Sequence, residues 1–125
     1  MIKFKFLLWM LTKLLQRAVK NNPKCAAHVQ DKNLTFQIQT ATGEGRYFVV
    51  KNGQIQSYAG QTPSPSFTFT FKTAAKGFAV LSTKDSVNTF LTAIKTQDLV
   101  ITGDYVEVMW FQSLTDFIAP HTPTV

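Results

Sequence analysis

The sequence has few of the residues that build disulfides, metal sites or cofactor sites. Cys25 is the only cysteine among 125 residues, so no disulfide can form within the chain, and a single thiol agrees with a reducing compartment. His28 and His121 are isolated in the sequence and have no neighbours at metal-ligand spacing. We therefore predict no metal site and no other cofactor.

Catalytic motifs are equally scarce. Gly43-Glu44-Gly45 lacks the third glycine and the strand–turn–helix setting of a phosphate-binding loop. Ser113, Asp116 and His121 supply the residue types of a hydrolase triad, but no nucleophile-elbow motif surrounds the serine. These absences predict a protein that is not an enzyme and has no catalytic residues.

No hydrophobic run is long enough to cross a membrane, which takes about 20 apolar residues. The apolar stretch from Phe6 to Leu11 is short for a secretory signal, Lys13 follows it closely, and no A-x-A cleavage site appears. We therefore expect a cytoplasmic protein that associates with membranes only peripherally.

Acidic residues are absent from the first 24 positions. This segment has six basic residues, whereas the rest of the chain has seven basic and seven acidic ones, so the whole net charge of +6 lies at the N-terminus. A local cationic surface of this kind favours an anionic partner. Nucleic acid is not expected, because no DNA-reading motif and no exposed aromatics on a sheet accompany the charges.

The same N-terminal segment predicts an amphipathic helix over residues 1–20, with apolar side chains at helical spacing and basic ones opposite. We expect it to contact an anionic membrane surface. The alternatives are that its apolar face packs on the rest of the chain or on a second copy. The residues predicted to contact the membrane are Phe4, Leu8, Trp9, Leu11, Lys13, Arg17 and Lys20.

From residue 34 the apolar period changes from helical to two, which is typical of half-buried strands. Asn52-Gly53 favours a two-residue hairpin turn, and Phe67, Phe69 and Phe71 alternate with threonine. The predicted order is a helix, four strands, two helices, one strand and one helix. It indicates an α+β fold: one mainly antiparallel five-stranded sheet with helices on one face, plus the N-terminal helix.

Three segments carry a resemblance to the sterol carrier protein 2 (SCP2) family: 67–71 (FTFTF), 90–94 (FLTAI) and 99–104 (LVITGD). The likeness runs from about Leu34 to Phe117, and it departs at Ser66, where an aspartate is common, and at Thr96-Gln97, where a glycine is usual. The resemblance implies an SCP2-like lipid-binding domain over residues 23–125, following a basic helix over residues 1–22. It also suggests kinship with bacterial accessory factors of ubiquinone biosynthesis.

Eleven phenylalanines in so short a chain indicate either a dense core or an apolar cavity. With the resemblance, they predict non-catalytic binding and transfer or presentation of a hydrophobic lipid: a sterol, fatty acyl chain, phospholipid, or isoprenoid or quinone precursor. The alternative is an interaction module that forms a homodimer through apolar helices without a lipid. The predicted cavity-lining residues are Phe69, Phe71, Phe78, Leu81, Phe90, Ile94, Val108, Met109, Phe111 and Leu114.

Overall fold

Helices flank a run of strands in the residues that the computed structural model describes, which are 2–82, 86–115 and 117. The order matches the predicted one except for an additional short helix near the N-terminus. The elements are α1 (Ile2–Asn21), α2 (Pro23–Gln30), β1 (Leu34–Thr40), β2 (Gly45–Lys51), β3 (Gln54–Ala59), β4 (Phe67–Phe71), α3 (Ala74–Ser82), α4 (Ser86–Lys95), β5 (Leu99–Gly103) and α5 (Tyr105–Thr115).

The five strands form one sheet in the order β3-β2-β1-β4-β5. Neighbouring strands are antiparallel except β1 and β4, which run parallel in the centre. The Asn52-Gly53 turn joins β2 to β3, and both residues have the positive φ that such a turn requires. The predicted α+β architecture with a mainly antiparallel five-stranded sheet is therefore confirmed.

The two faces of the sheet differ in chemistry because side chains alternate along each strand. On one face the register places Phe36 beside both Phe48 and Phe67, and all three are fully buried beneath the helices. On the other face glutamines pair with threonines across the parallel strands, as in the hydrogen bond from Gln37 to Thr68. The sheet thus has one phenylalanine-rich face, which we call the inner face, and one polar outer face.

Helix α1 packs against the inner face at the β2–β3 end of the sheet. Phe4, Leu8 and Leu15 are almost completely buried, and the Phe4 ring meets the Phe71 ring edge-on at 6.2 Å between centroids. Polar contacts add to this packing, since Gln16 donates a hydrogen bond to the Ile55 carbonyl at 2.8 Å. The N-terminal helix therefore contributes to the same hydrophobic core as the rest of the chain.

The sequence pattern does not predict helix α2; it indicates a single helix over residues 1–20 before the strands. Asn22 caps the new helix: its side-chain oxygen accepts hydrogen bonds from the backbone N–H groups of Lys24 and Cys25. Pro23 occupies the first helical turn, where its missing N–H has no cost. An Asn-Pro pair that ends one helix can therefore start the next.

The Gly103-Asp104 pair joins β5 to α5 and determines where α5 begins. Gly103 adopts a φ of 109°, and the backbone N–H of Asp104 donates to the Ser66 carbonyl at 2.8 Å. The Asp104 carboxylate then accepts a hydrogen bond from the N–H of Val106 at 2.9 Å, as a helix N-cap does. This short motif therefore places α5 on the sheet.

Candidate functional site

The inner face of the sheet meets α4 and α5 at a cluster of phenylalanine rings. The Phe111 ring of α5 lies 4.7 Å from Phe36 and 5.6 Å from Phe69, measured between centroids. The Phe90 ring of α4 lies 5.6 Å from the same Phe69. Helix α4 packs on β5 and α5 packs on β4, so each helix places one phenylalanine ring against Phe69. We call Phe36, Phe67, Phe69, Phe90 and Phe111 the phenylalanine cluster.

Several of the predicted lipid-binding residues lie in or beside this cluster. Phe90 is half-buried and Ile94, one helical turn further on, is 38% exposed. The side chains of Phe78 and Leu81 lie outside the described residues, so their positions stay predictions. The buried members of the predicted set are Phe69, Phe71, Val108, Phe111 and Leu114.

The structure corrects the prediction for Met109. Its side chain is 67% exposed and lies on the side of α5 away from Phe111, together with Tyr105 and Val106. A helix turns by 100° per residue, so positions 109 and 111 point in nearly opposite directions. Met109 therefore cannot line a space beneath α5, although it belongs to an apolar surface on the solvent side of that helix.

Helix α5 is held against α2 by a set of side chains around Trp110. The Trp110 indole N–H donates to the His28 carbonyl at 3.1 Å, and the His28 ring stacks on the indole at 5.5 Å between centroids. Lys32 forms an ion pair with Glu107 at 2.5 Å and lies 5.4 Å from the centre of the Trp110 ring. These contacts fix α5 from one side while Phe111 fixes it from below.

The predicted membrane-contact residues of α1 divide into two groups. Phe4 and Leu8 are buried against the sheet, so they cannot reach a bilayer in this arrangement, which corrects that part of the prediction. Leu11 is half-buried. The exposed members are Trp9, Lys13, Arg17 and Lys20.

The exposed side of α1 carries apolar as well as basic residues. Phe6 is 54% exposed and Trp9 is 44% exposed, their rings lie 5.9 Å apart, and the Lys13 ammonium lies 5.7 Å from the Trp9 ring centre. No acidic residue occurs in this segment of the sequence. We call this surface the outer face of α1; its residues are Ile2, Lys3, Phe6, Trp9, Lys13, Leu14, Arg17 and Lys20.

A hollow of about 260 Å³ lies between α1 and the edge strand β3. Arg46 of β2 lines it, and its Nε donates a hydrogen bond to the Ser57 hydroxyl at 2.6 Å. We call this hollow the α1–β3 cleft; its other lining residues are Trp9, Thr12, Lys13, Gln16, Gln56, Ser57 and Tyr58.

Arg46 also borders a second hollow of about 220 Å³, beside the turn between β1 and β2. Lys5 and Glu44 both line this hollow. Of the predicted lipid-binding residues whose side chains are described, none lines either hollow. Both hollows thus lie along α1, and no member of the phenylalanine cluster lines either of them.

Sequence reasoning missed Arg46 as a site residue. The available signal was its phase in β2, because Arg46, Phe48 and Val50 alternate onto one face and the latter two are fully buried. An arginine on the same strand face as core residues must have a polar partner or border a cleft, because burying an unpaired charge is costly. The remaining cleft residues could not be found in this way, because they come together only when α1 packs on β3.

The described residues show no constellation for metal binding: they contain no group of three or more His, Cys, Asp or Glu placed to hold an ion. Burial raises the pKa of the Cys25 thiol, which makes it a poorer nucleophile. Ser113 is exposed and donates its hydroxyl proton to the Met109 carbonyl at 3.2 Å. Asp116 and His121, which with Ser113 supply the residue types of a hydrolase triad, lie outside the described residues.

None of the helices in the described ranges is sufficiently long and apolar to pass through a membrane.

Comparison with known proteins identifies the fold. No protein-family profile matches the sequence, and no curated protein sequence matches it. The chain has the SCP2-like fold: it matches the apo form of sterol carrier protein 2 from Yarrowia lipolytica with a TM-score of 0.55 and 10% identity, over 89% of this chain and 91% of that one.

Two further solved structures share the fold. A UbiJ-SCP2 ubiquinone synthesis protein matches with a TM-score of 0.65 and 16% identity, over 92% of this chain and 98% of that one. The stereoselective inverting sec-alkylsulfatase Pisa1 from Pseudomonas sp. matches with a TM-score of 0.53 and 13% identity, over 79% of this chain but only 15% of the enzyme. The predicted likeness to SCP2 is therefore confirmed at the level of the fold.

Proposed function

We propose that this protein binds a hydrophobic lipid between the inner face of its sheet and helices α4 and α5, without catalysis, and carries it or presents it to another protein. The fold shared with a sterol carrier protein and a ubiquinone synthesis protein supports this proposal. Sterols, fatty acyl chains, phospholipids, and isoprenoid or quinone precursors are the candidate ligands.

One observation carries the proposal: α4 and α5 each place a phenylalanine ring against Phe69, on a sheet face that is itself phenylalanine-rich. Phe90 and Phe111 both contact Phe69, and Ile94, one helical turn after Phe90 on α4, is 38% exposed. An alkyl chain can replace ring–ring contacts with contacts of similar apolar area. The boundary between the two helices is therefore the proposed lipid site, and Ile94 marks its solvent side.

Lipid that remains with the protein through a gentle purification is the direct test. Mass spectrometry of an organic extract should show one lipid class at close to one molecule per chain. The competing function is a homodimer that uses apolar helix surfaces such as Tyr105, Val106 and Met109 and holds no lipid. An extract without lipid, together with a dimer in light scattering, would favour that competing function.

We predict that Ile94→Glu weakens binding of a fluorescent fatty acid by about tenfold or more, since a carboxylate beside an alkyl chain must be desolvated. Ile94 is already 38% exposed, so the fold should tolerate the change. Met109→Glu is the matched control, because it places the same charge on the solvent side of α5. Its affinity for the fluorescent fatty acid should stay within about twofold of the wild-type value. Equal loss in both variants would contradict the proposed site.

We also propose that the outer face of α1 docks the protein reversibly on anionic bilayers. Phe6 and Trp9 offer exposed aromatic rings of the kind that reside at the membrane interface. Lys13 and Arg17 lie among them with no acid nearby in the sequence, and each basic residue contributes about 1 kcal/mol near an anionic surface. The two attractions together give binding that is reversible and sensitive to salt.

Exchanging Arg17 and Lys20 for glutamate should lower co-sedimentation with phosphatidylglycerol-containing vesicles by about tenfold or more at low salt. The double change Lys72→Glu and Lys95→Glu alters the net charge by the same amount at exposed positions outside α1, and it should have a much smaller effect. Phe6→Ser should weaken docking without changing the charge. Docking would be disproved if both charge-reversed proteins lost affinity equally and Phe6→Ser lost none.

A further inference from the structure

We propose that the α1–β3 cleft binds the terminal phosphate of a lipid phosphomonoester, with Arg46 as the main ligand. The inference rests on the docking of α1 proposed above, and it adds a headgroup site separate from the phenylalanine cluster. The site would let the protein distinguish one class of anionic lipid from others of equal charge.

The first argument is the state of the Arg46 side chain. It is half-buried on the inner face of the sheet, and within the described residues its guanidinium has one hydrogen bond, from Nε to Ser57, and no carboxylate at ion-pair distance. Arginine presents five N–H donors in a planar fork that matches the oxygens of a phosphate. The donors at the end of the guanidinium therefore remain for an anion.

The second argument is that this guanidinium is held in place before any ligand arrives. The Thr12 hydroxyl donates its proton to the Leu8 carbonyl at 3.0 Å and lies 2.7 Å from the Ser57 hydroxyl. Since Thr12 has already used its proton, Ser57 must donate to Thr12, which leaves the Ser57 oxygen free to accept from Arg46 Nε. This chain of bonds joins α1 to the sheet and fixes one edge of the arginine, so less entropy is lost on binding.

The third argument is the chemistry of the cleft wall. Lys13 adds a second cation, and none of the described residues that line the cleft is acidic. Gln56 also lines the cleft; its side-chain Oε1 accepts a hydrogen bond from the Tyr58 hydroxyl at 2.9 Å, and an amide nitrogen is a hydrogen-bond donor. The volume of about 260 Å³ suits a headgroup rather than a whole lipid.

The fourth argument is the position of the cleft. Trp9 and Lys13 line it and also belong to the outer face of α1, so the cleft opens beside the surface that would lie on the bilayer. A terminal phosphate monoester projects one free end into a recess, whereas a phosphodiester is substituted on both sides. A phosphomonoester can therefore reach the recessed Arg46 more easily than a phosphodiester can. Exposed residues such as Arg17 attract any lipid headgroup of the same charge equally.

The test compares two sets of phosphatidylcholine vesicles, one with phosphatidic acid and one with phosphatidylglycerol, adjusted to the same zeta potential. The wild-type chain should bind the phosphatidic acid vesicles several-fold more tightly. Arg46→Gln should remove this preference. Binding to phosphatidic acid vesicles should fall by about tenfold, because a charge-assisted bidentate contact is lost, while binding to phosphatidylglycerol vesicles should stay nearly unchanged. Arg17→Gln is the matched control, because it removes one charge from α1 outside the cleft and should weaken both equally.

A second measurement separates the cleft from docking. In an NMR titration with glycerol 3-phosphate, the Trp9 indole N–H and the Arg46 Nε–H signals should shift and saturate in the wild type, but the Trp9 signal should not shift in Arg46→Gln. If glycerol 3-phosphate saturates these shifts but the protein does not bind vesicles, the cleft binds free phosphate monoesters and the proposed membrane docking of α1 is wrong. Absence of any shift, or an equal response of both vesicle types to Arg46→Gln, would overturn the headgroup site.

Discussion

Replacing Phe4 with alanine is expected to lower the free energy of unfolding by about 3–5 kcal/mol, the usual cost of truncating a buried aromatic side chain. Phe4 is completely buried, its ring meets Phe71 at 6.2 Å, and Gly77 of α3 lies directly against it. The neighbouring helices cannot move in to fill so large a space at no cost. Urea denaturation followed by circular dichroism measures the change.

Phe6→Ala provides the matched control, since it is the same substitution two residues along the same helix. Phe6 is 54% exposed on the outer face of α1, so we expect a change of about 0.5 kcal/mol or less. If both substitutions lower the free energy of unfolding by the same small amount, α1 does not pack on the sheet through Phe4. The assignment of its outer face would then also be wrong.

Replacing Gly103 with alanine is expected to be of comparable severity, at about 3 kcal/mol or more. The residue has a φ of 109°, where side chains other than glycine are strained, and a Cβ atom there would overlap the Ser66 carbonyl oxygen and lie 2.6 Å from the Phe67 Cα. Both neighbours are backbone atoms at the start of β4, so they cannot rotate away. Thermal unfolding should therefore begin at a markedly lower temperature.

Gly53→Ala separates the two causes of this effect. Gly53 also has a positive φ, 74°, but nothing lies within 4 Å of the position that a Cβ would occupy. Its replacement should cost only the backbone strain, about 1 kcal/mol. If Gly103→Ala cost no more than Gly53→Ala, the close approach of β5 to the start of β4 would be contradicted.

The burial of Phe4, Leu8 and Leu15 also affects how membrane docking can be studied. Deleting residues 1–22 would remove all three from the core, at a summed cost of about 7–15 kcal/mol, which equals the stability of a typical domain. Such a truncated chain would fail to bind vesicles because it does not fold. Substitutions on the outer face, such as Phe6→Ser and Arg17→Glu, are therefore the informative experiments.

Much of the fold follows from local pattern alone. Phe67, Phe69 and Phe71 alternate with threonines, and this period of two predicts β4 because only a strand turns every second side chain to one side. Asn52-Gly53 predicts the β2–β3 hairpin for an equally local reason, its tolerance of positive φ. The basic, amphipathic character of α1 and the chain's uneven charge were likewise available from the sequence.

The tertiary structure decided which surfaces these elements share. Periodicity places Phe4 and Leu8 on the apolar side of a helix, but a bilayer and a protein core attract that side equally, and only the packing of α1 on the sheet resolves the choice. Apolar residues occur on most sides of α5, so the exposure of Met109 depends on where Asp104 and Trp110 fix the rotation of the helix. Arg46 lies near Thr12 and Lys13 only because a strand and a helix separated by some thirty residues meet in space. Sequence determines local geometry because neighbouring residues share backbone constraints, whereas a site built across elements depends on long-range contacts that no local pattern encodes.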